Sequence, residues 1–468
     1  MDNKNKSKKL NTGDVIVVAF GAMIGWGWVV SSGGWIQQSG VIGTILAFLL
    51  GGIMIYFVGL VYAELTTALP ENGGAKVFSQ HAFGTIGSFI CTWSIILSYI
   101  GVVCFEACSF PTIIQYIFPG FLKGYLYTVA GFDIYVTWLL VAIISCVLIT
   151  YINIKGVKTA AILQKLLTIV IAAVGMVLII ASLINGDSSN LEGQLFVGTG
   201  INKILGNVLS VAMVAPFFLF GFDVIPQAAE EINIPLKKLG KLIVFSIALA
   251  VAFYGMVVFA VGYGMNKIEL VMSLHGSGLV TADAMAKLFH SEVMAKILIL
   301  GGMCGIATSW NSFLIGGSRA LESMAYSYMI PHVFCKKHKK YQTPYLSLIL
   351  IGILSIISLF FGRQMLTWIS NCASFACCLT YCIVSLSFLR LRKKEANLPR
   401  PYKVKNYRFV GIMATMLSGF LCMMYLIPGT VCSMIDQELI ITVLWTIVGI
   451  FFAIGCKVKY RDKFGKLG

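Results

Sequence analysis

Charge is what this sequence has least of. Only 12% of its 468 residues are Asp, Glu, Lys or Arg, about half the share that a soluble domain carries. The deficit falls on the acids, which number 19 against 35 basic residues. Histidine is down to five, too scattered to form a catalytic dyad. Neither a P-loop nor a dinucleotide fingerprint occurs, which sets aside energy drawn from bound ATP. No long hydrophilic run interrupts the chain, so residues 1–468 read as one domain without appended modules. A cleavable leader is not expected: the opening MDNKNKSKKLNTGD is polar, and no small-residue cleavage motif follows a short apolar core. These absences point away from an enzyme and from a cofactor.

Hydrophobic residues make up 58% of the chain. Apolar runs of about 20 residues, the length that crosses hydrocarbon, lie near 15–36, 41–67, 87–117, 133–153, 161–185, 204–229, 241–265, 294–317, 345–361, 365–389, 409–430 and 436–456. They predict an all-α protein with twelve spans in a lipid bilayer. With the N-terminus inside, 29 of the 35 Lys and Arg fall on the inner side. The outer six are Lys123, Lys203, Lys267, Lys287, Lys296 and Arg363. This is the positive-inside asymmetry, so the net charge of +16 reports orientation and not affinity for nucleic acid. Both termini are expected in the cytoplasm and the spans in the plasma (inner) membrane. Most of the thirteen cysteines lie inside spans, as in CASFACCLTYC (372–382), where Cys acts as a small hydrophobe. PHVFCKKH brings His332, Cys335 and His338 together, but the spacing fits no standard zinc pattern, and no metal is expected.

Two spans break the rules of a membrane helix. Span 1 contains GAMIGWGWVV (21–30), with three glycines and two tryptophans, although each glycine costs a helix about 1 kcal/mol relative to alanine. Span 6 contains PFFLFGFD (216–223), with a proline, a glycine and an acid near its middle. Taken alone, either cluster is also explained by close packing of helices through small residues. Paired interruptions five spans apart, running in opposite directions, are the pointer to an inverted-repeat transporter with its site at the midplane. An unwound turn frees N–H groups on one half-helix and C=O groups on the other, tolerable in a bilayer only where protein shields them or a cavity is lined. Free N–H groups attract a carboxylate, and free carbonyls attract an ammonium. A pair of breaks therefore suits a zwitterion or an amine.

Almost the whole chain resembles the amino acid–polyamine–organocation permeases. The motifs that carry the likeness are FGAMIGWGW in span 1, YAELTTALPENGGAKVFSQHAFG (62–84), NIKGVKTAAILQKLLT (153–168), GFDVIPQAAEEINIPLKKL (221–239), GGSRALESMAYSYMIP (316–331), TPYLS and LPRPYKV. The resemblance implies a five-plus-five inverted repeat (about 13–185 and 204–392) with spans 1 and 6 discontinuous, and two further spans at about 409–456. It also implies alternating access and transport of an amino acid or related amine. By the same likeness a substrate carboxylate meets the amides of Gly25, Trp26 and Gly27. The amine meets carbonyls near Ala22 and Met23 and those of Phe217, Phe218 and Phe220, with Gly221 in the span 6 break. Phe217 is the expected aromatic cap. Ser309 and Phe313, one turn apart on span 8, face the site or simply pack.

Departures from the family pattern narrow the expectation. Trp26 stands where many relatives have Ser or Thr; its ring either fills the carboxylate site or points away and wedges the break. Lys76 and Phe78 replace the usual aromatic pair, and Ile171 stands where some proton-coupled relatives have a lysine, with Lys165 the nearest. Proton coupling through that lysine is therefore not expected, while sodium has Thr308, Ser309 and Ser312 available beside span 1 carbonyls. Glu106, mid-span in GVVCFEACSFP, is costly to bury and a functional candidate for that reason. It either contacts a second positive charge on the substrate, as in a basic amino acid or diamine, or carries a proton, or is a protonated residue hydrogen-bonded within the bundle. Asp223 orients the unwound backbone, senses a proton or caps the half-helix that begins there. Glu64, Glu230 and Glu231 fall at inner helix ends, where ion pairs gate the inner vestibule, with Arg319 the first partner to consider. A polyamine exchanger of the same fold and a non-transporting amino acid receptor remain the alternatives.

Overall fold

Span 1 begins as a capped helix and stops half-way. The Asn11 side chain accepts the Gly13 and Asp14 amides while the Asp14 carboxylate accepts the Asn11 amide, a capping box that starts Thr12–Met23. Ile24 leaves the helical region, and winding resumes only at Gly27–Val30 and Ser32–Ser39. This computed structural model describes residues 11–118, 120–430 and 432–466; the side chains of 157–161 and Glu231 lie outside the description. The polar N-terminal stretch read above therefore lies almost wholly outside it.

Span 2 is Val41–Ala68, and span 3 runs within Ala75–Ile117 after an abrupt turn at Gly84 (φ 72°, ψ −162°). Spans 4 and 5 are Val136–Ile154 and Val157–Asn185. Span 6 is Ile201–Phe218, an irregular turn, and one helical turn at Val224–Gln227. Spans 7 and 8 are Leu236–Gly264 and Glu292–Tyr326; Tyr345–Leu359, Met365–Lys394, Tyr407–Leu426 and Asp436–Tyr460 follow as spans 9 to 12. Among the described residues, eleven helical segments are long and apolar enough to cross a bilayer. The segment expected as span 9 has 15 residues, short of the roughly 20 that a crossing needs. Sequence periodicity gave no sign of two short helices between spans 7 and 8, Lys267–His275 and Val280–Phe289. A two-stranded hairpin, Tyr125–Val129 with Phe132–Tyr135, departs locally from the all-α expectation.

Burial grades the spans from centre to rim. The best apolar window of span 3 is 78% buried, whereas that of span 12 is 11% buried. Span 12 turns Ile440, Val443, Leu444 and Phe451 outward, an apolar face of the kind a bilayer accommodates. Spans 1, 3 and 10 are the most buried by this measure, and small residues let neighbouring spans approach.

At the Lys- and Arg-rich end, charge and not glycine does the joining. Glu64 on span 2 is 1% exposed and receives Arg392 Nη2 at 2.6 Å, Arg400 Nε at 3.1 Å and the Val404 amide at 2.7 Å. Its partners thus come from the last turn of span 10 and the segment after it, and Arg319 is not among these pairs. Removing one member of a buried ion pair leaves an uncompensated charge, at a cost of about 3–5 kcal/mol. Glu64→Gln is therefore expected to lower the unfolding temperature of the purified protein in detergent. Adding Arg392→Gln should restore part of the loss, and an unchanged melting curve for the single variant would refute the assignment.

Candidate substrate site

The two unwound segments touch. Gly221 has φ of +127°, and a methyl group built there would lie 2.6 Å from Ala22 Cβ and 3.0 Å from the Met23 amide nitrogen. Only a residue without a side chain fits both the dihedral and the space. Asp223 fixes this turn from inside: its Oδ1 accepts the Gly221 amide at 3.1 Å and Tyr381 Oη at 3.1 Å, and its Oδ2 accepts Tyr99 Oη at 2.7 Å. Its side chain makes no capping bond to Val224–Gln227. Of the roles expected for it, orientation of the unwound backbone is the one with observed contacts.

Span 8 is cut to receive span 1. A methyl at Gly305 would lie 2.7 Å from the Gly25 carbonyl oxygen, and one at Gly302 would strike the Trp26 ring. The Trp26 ring, 1% exposed, is seated on span 8. The wedge reading describes that contact, although Trp26 also contributes to the pocket wall. GGMCG (301–305) was the available sign of this groove, and it went unread. Span 7 adds Tyr254, whose hydroxyl donates to the Met23 carbonyl at 3.1 Å. A buried tyrosine hydroxyl has to find a partner, so Tyr254 was also detectable in an apolar span.

All the expected binding residues except Gly221 and Asp223 line one pocket: Ala22, Met23, Gly25, Trp26 and Gly27 from span 1, Glu106 from span 3, Phe217, Phe218 and Phe220 from span 6, and Ser309 and Phe313 from span 8. Val102, Phe105 and Tyr254 complete its wall. The space is about 30 Å³, room for little more than a water molecule. Above it, on the side poor in Lys and Arg, a vestibule of about 550 Å³ opens between the hairpin, span 6 and the start of span 10. Phe105, Phe217 and Phe218 line both spaces and so form the partition between them. The Phe105 and Phe217 ring centroids are 5.6 Å apart and those of Phe217 and Phe218 5.2 Å apart, both edge-to-face.

Below the pocket the packing is continuous. Tyr62 is edge-on to Phe222 and Tyr381 beneath the Asp223 turn. Further towards the basic side, Glu230 binds the backbone and side chain of Asn72 at 3.2 Å each, and Lys76 Nζ donates to Ser327 at 2.6 Å. Arg319 is 3% exposed, with Nη1 on Ser318 at 3.0 Å. Glu231, expected beside Glu230, has a side chain outside the described residues.

Two of the three hydroxyls considered for sodium, those of Thr308 and Ser312, have hydrogen-bond partners in the protein. Thr308 Oγ1 donates to the Gly305 carbonyl at 2.9 Å, and Ser312 accepts Gln164 Nε2 at 2.9 Å while facing the Val18 carbonyl at 3.4 Å. The Gln164 amide belongs to a neutral series in which Asn153 donates to Asn311 (2.9 Å) and Asn311 to Gln164 (2.8 Å), linking spans 4, 8 and 5. Ile171 is fully buried and Lys165 is exposed, so the neighbouring lysine does not turn into the site. On the loop, His332 Nδ1 pairs with the Ala325 carbonyl at 3.0 Å and His338 Nδ1 accepts the Lys340 amide at 3.2 Å. Among the described residues no His, Cys, Asp and Glu group has a metal-holding arrangement.

A family model described as amino acid permease matches residues 10–452. The chain is similar, at 24% identity, to a branched-chain amino acid permease of Bacillus subtilis, over 89% of this chain and 88% of that one. It is also similar to a methylthioribose transporter (24%; 91% and 90%) and an aspartate–proton symporter (26%; 89% and 79%) of the same organism.

The Asp223 turn sets the first expectation for this site. Asp223→Ala strands the Tyr99 and Tyr381 hydroxyls and the Gly221 amide, a loss of about 1–3 kcal/mol per buried unsatisfied group. It should destabilise the protein in thermal unfolding more than Tyr99→Phe or Tyr381→Phe. Equal effects from the three substitutions would refute the central role given to the carboxylate.

Proposed function

The chain belongs to the amino acid–polyamine–organocation family of amino acid permeases, and on that premise we propose a secondary transporter that moves an amino acid or related organic amine by alternating access. The observation that carries this reading is the contact between the two breaks at Gly221 and Ala22, which gathers opposite backbone polarities around one pocket. Family membership gives transport of amino acids or related substrates and excludes an enzyme. The relatives' names diverge in cargo, from a branched-chain amino acid to methylthioribose, so the molecule carried has to be argued from the pocket.

In this reading the vestibule faces outward, the termini are cytoplasmic and the twelve spans of the plasma membrane protein form two inverted repeats, about 13–185 and 204–392. Substrate descends from the vestibule and displaces Phe217 and Phe218, which return over it as a lid. Release inward needs the Asp223–Tyr99–Tyr381 turn to move and then the contacts of Glu64, Glu230 and Lys76 to part, with Arg319 beside that exit. Exchange or proton symport is the mode favoured here, and one relative is named as a proton symporter.

Purified protein in proteoliposomes should take up radiolabelled amino acids or amines saturably, faster when unlabelled substrate is loaded inside. Phe217→Ala should raise the apparent KM about tenfold, as the loss of one well-packed aromatic contact does. Binding without uptake, or ion current without saturable uptake, would overturn the transporter reading.

A further inference from the structure

The span 1 break already holds a carboxyl group. The Glu106 carboxyl lies against the backbone of Gly25: a methyl built on Gly25 would overlap Glu106 Oε1 and come within 3.3 Å of Ser309. The Trp26 backbone and the Ser309 hydroxyl face the same carboxyl. This is the place where freed amides offer a carboxylate its partners, and the carboxylate present is the protein's own. Glu106 is 2% exposed, and its Oε2 is buried without a hydrogen-bond partner among the described residues. Glu106 lines the pocket, and an unpartnered oxygen on its carboxyl leaves a place for a donor, because leaving it unmet costs free energy that the ligand's N–H group would recover.

The rest of the pocket wall fits the same ligand. Trp26, Phe105, Phe217, Phe218 and Phe313 present aromatic rings, whose faces attract an ammonium and whose bulk suits an apolar body. Among the described residues no Lys or Arg lines the pocket to balance a second anion. Arg363, the one charged side chain among the described residues lining the vestibule, does not favour a cation, so selection for one falls to Glu106.

We propose that Glu106 takes the position at the Gly25–Trp26 break that a substrate carboxylate would need, so that the cargo is a primary organic amine without a carboxylate, its ammonium bound by Glu106. An amino acid would have to place its own carboxylate beside that of Glu106, and like charges so juxtaposed cost several kcal/mol. This deepens the transporter reading and rests on it.

The test uses matched pairs that differ only in the carboxylate: phenylethylamine with phenylalanine, isopentylamine with leucine, and cadaverine with lysine. Uptake into proteoliposomes and ligand-induced thermal shift in detergent are measured for each. The expected result is at least about tenfold preference for the amine in one or more pairs. Glu106→Gln, which keeps the shape, should abolish that preference. Glu106→Ala, which empties the place, should admit the amino acid of the pair, a gain that a merely structural role would not produce. Preference for the amino acid in every pair, or an amine preference untouched in Glu106→Gln, overturns the inference and leaves the transporter reading standing. Amine-selective thermal shift without uptake of any member would overturn the transporter reading while supporting the charge assignment at Glu106. No uptake and no shift for any pair overturns both.

Discussion

The contact between Gly221 and Ala22 is the constraint on which the rest of this structure depends. Two helices that stop inside a bilayer each leave backbone groups without partners, and neither break is tolerable alone in hydrocarbon. Here they protect each other. Gly221 allows the close approach, Tyr254 supplies a donor for the Met23 carbonyl, and Asp223 holds the span 6 turn against it. The glycines at 302 and 305 extend the logic to span 8, since a side chain at either would push span 1 off its seat.

From that centre the molecule is built differently on its two sides. Towards the vestibule the closure consists of three phenylalanine rings in edge contact. Such contacts are short-range and reversible, and they add only about 0.5–1.5 kcal/mol beyond area burial. Towards the basic side the closure is a stack of buried polar bonds: Asp223 with two tyrosines, then Glu64 with two arginines. Breaking these demands new partners for every group exposed. The aromatic side is held by contacts of short range, and the other by hydrogen bonds and ion pairs that each need a replacement partner when broken.

Much of this was legible in the sequence because the chemistry is local. GAMIGWGWVV and PFFLFGFD announce breaks by glycine and proline inside apolar runs, and the structure puts them at 24–26 and 219–223. The membership of the pocket followed from motif resemblance. What escaped depends on distance along the chain. Tyr254 meets Met23 across 231 residues, and Glu64 meets Arg392 across 328; no periodicity reports such pairings. Trp26 was ambiguous for the same reason, since its seat is made by a glycine on another span. The capping role offered for Asp223 was a local guess, and a contest between one amide nearby and two distant tyrosine hydroxyls decided against it. Span 9 was drawn too long because Phe360 and Phe361 extend the apolar run past the helix end.

The amide series of Asn153, Asn311 and Gln164, ending on Ser312 beside the Val18 carbonyl, ties the first half of span 1 to a scaffold without using a single charge. Moving one elementary charge through the membrane potential is worth about 2.3 kcal/mol per 100 mV. A neutral ladder is indifferent to that field. If span 1 rocks against this scaffold, the hinge is electrically silent, and any charge that crosses the field is carried by groups outside these contacts.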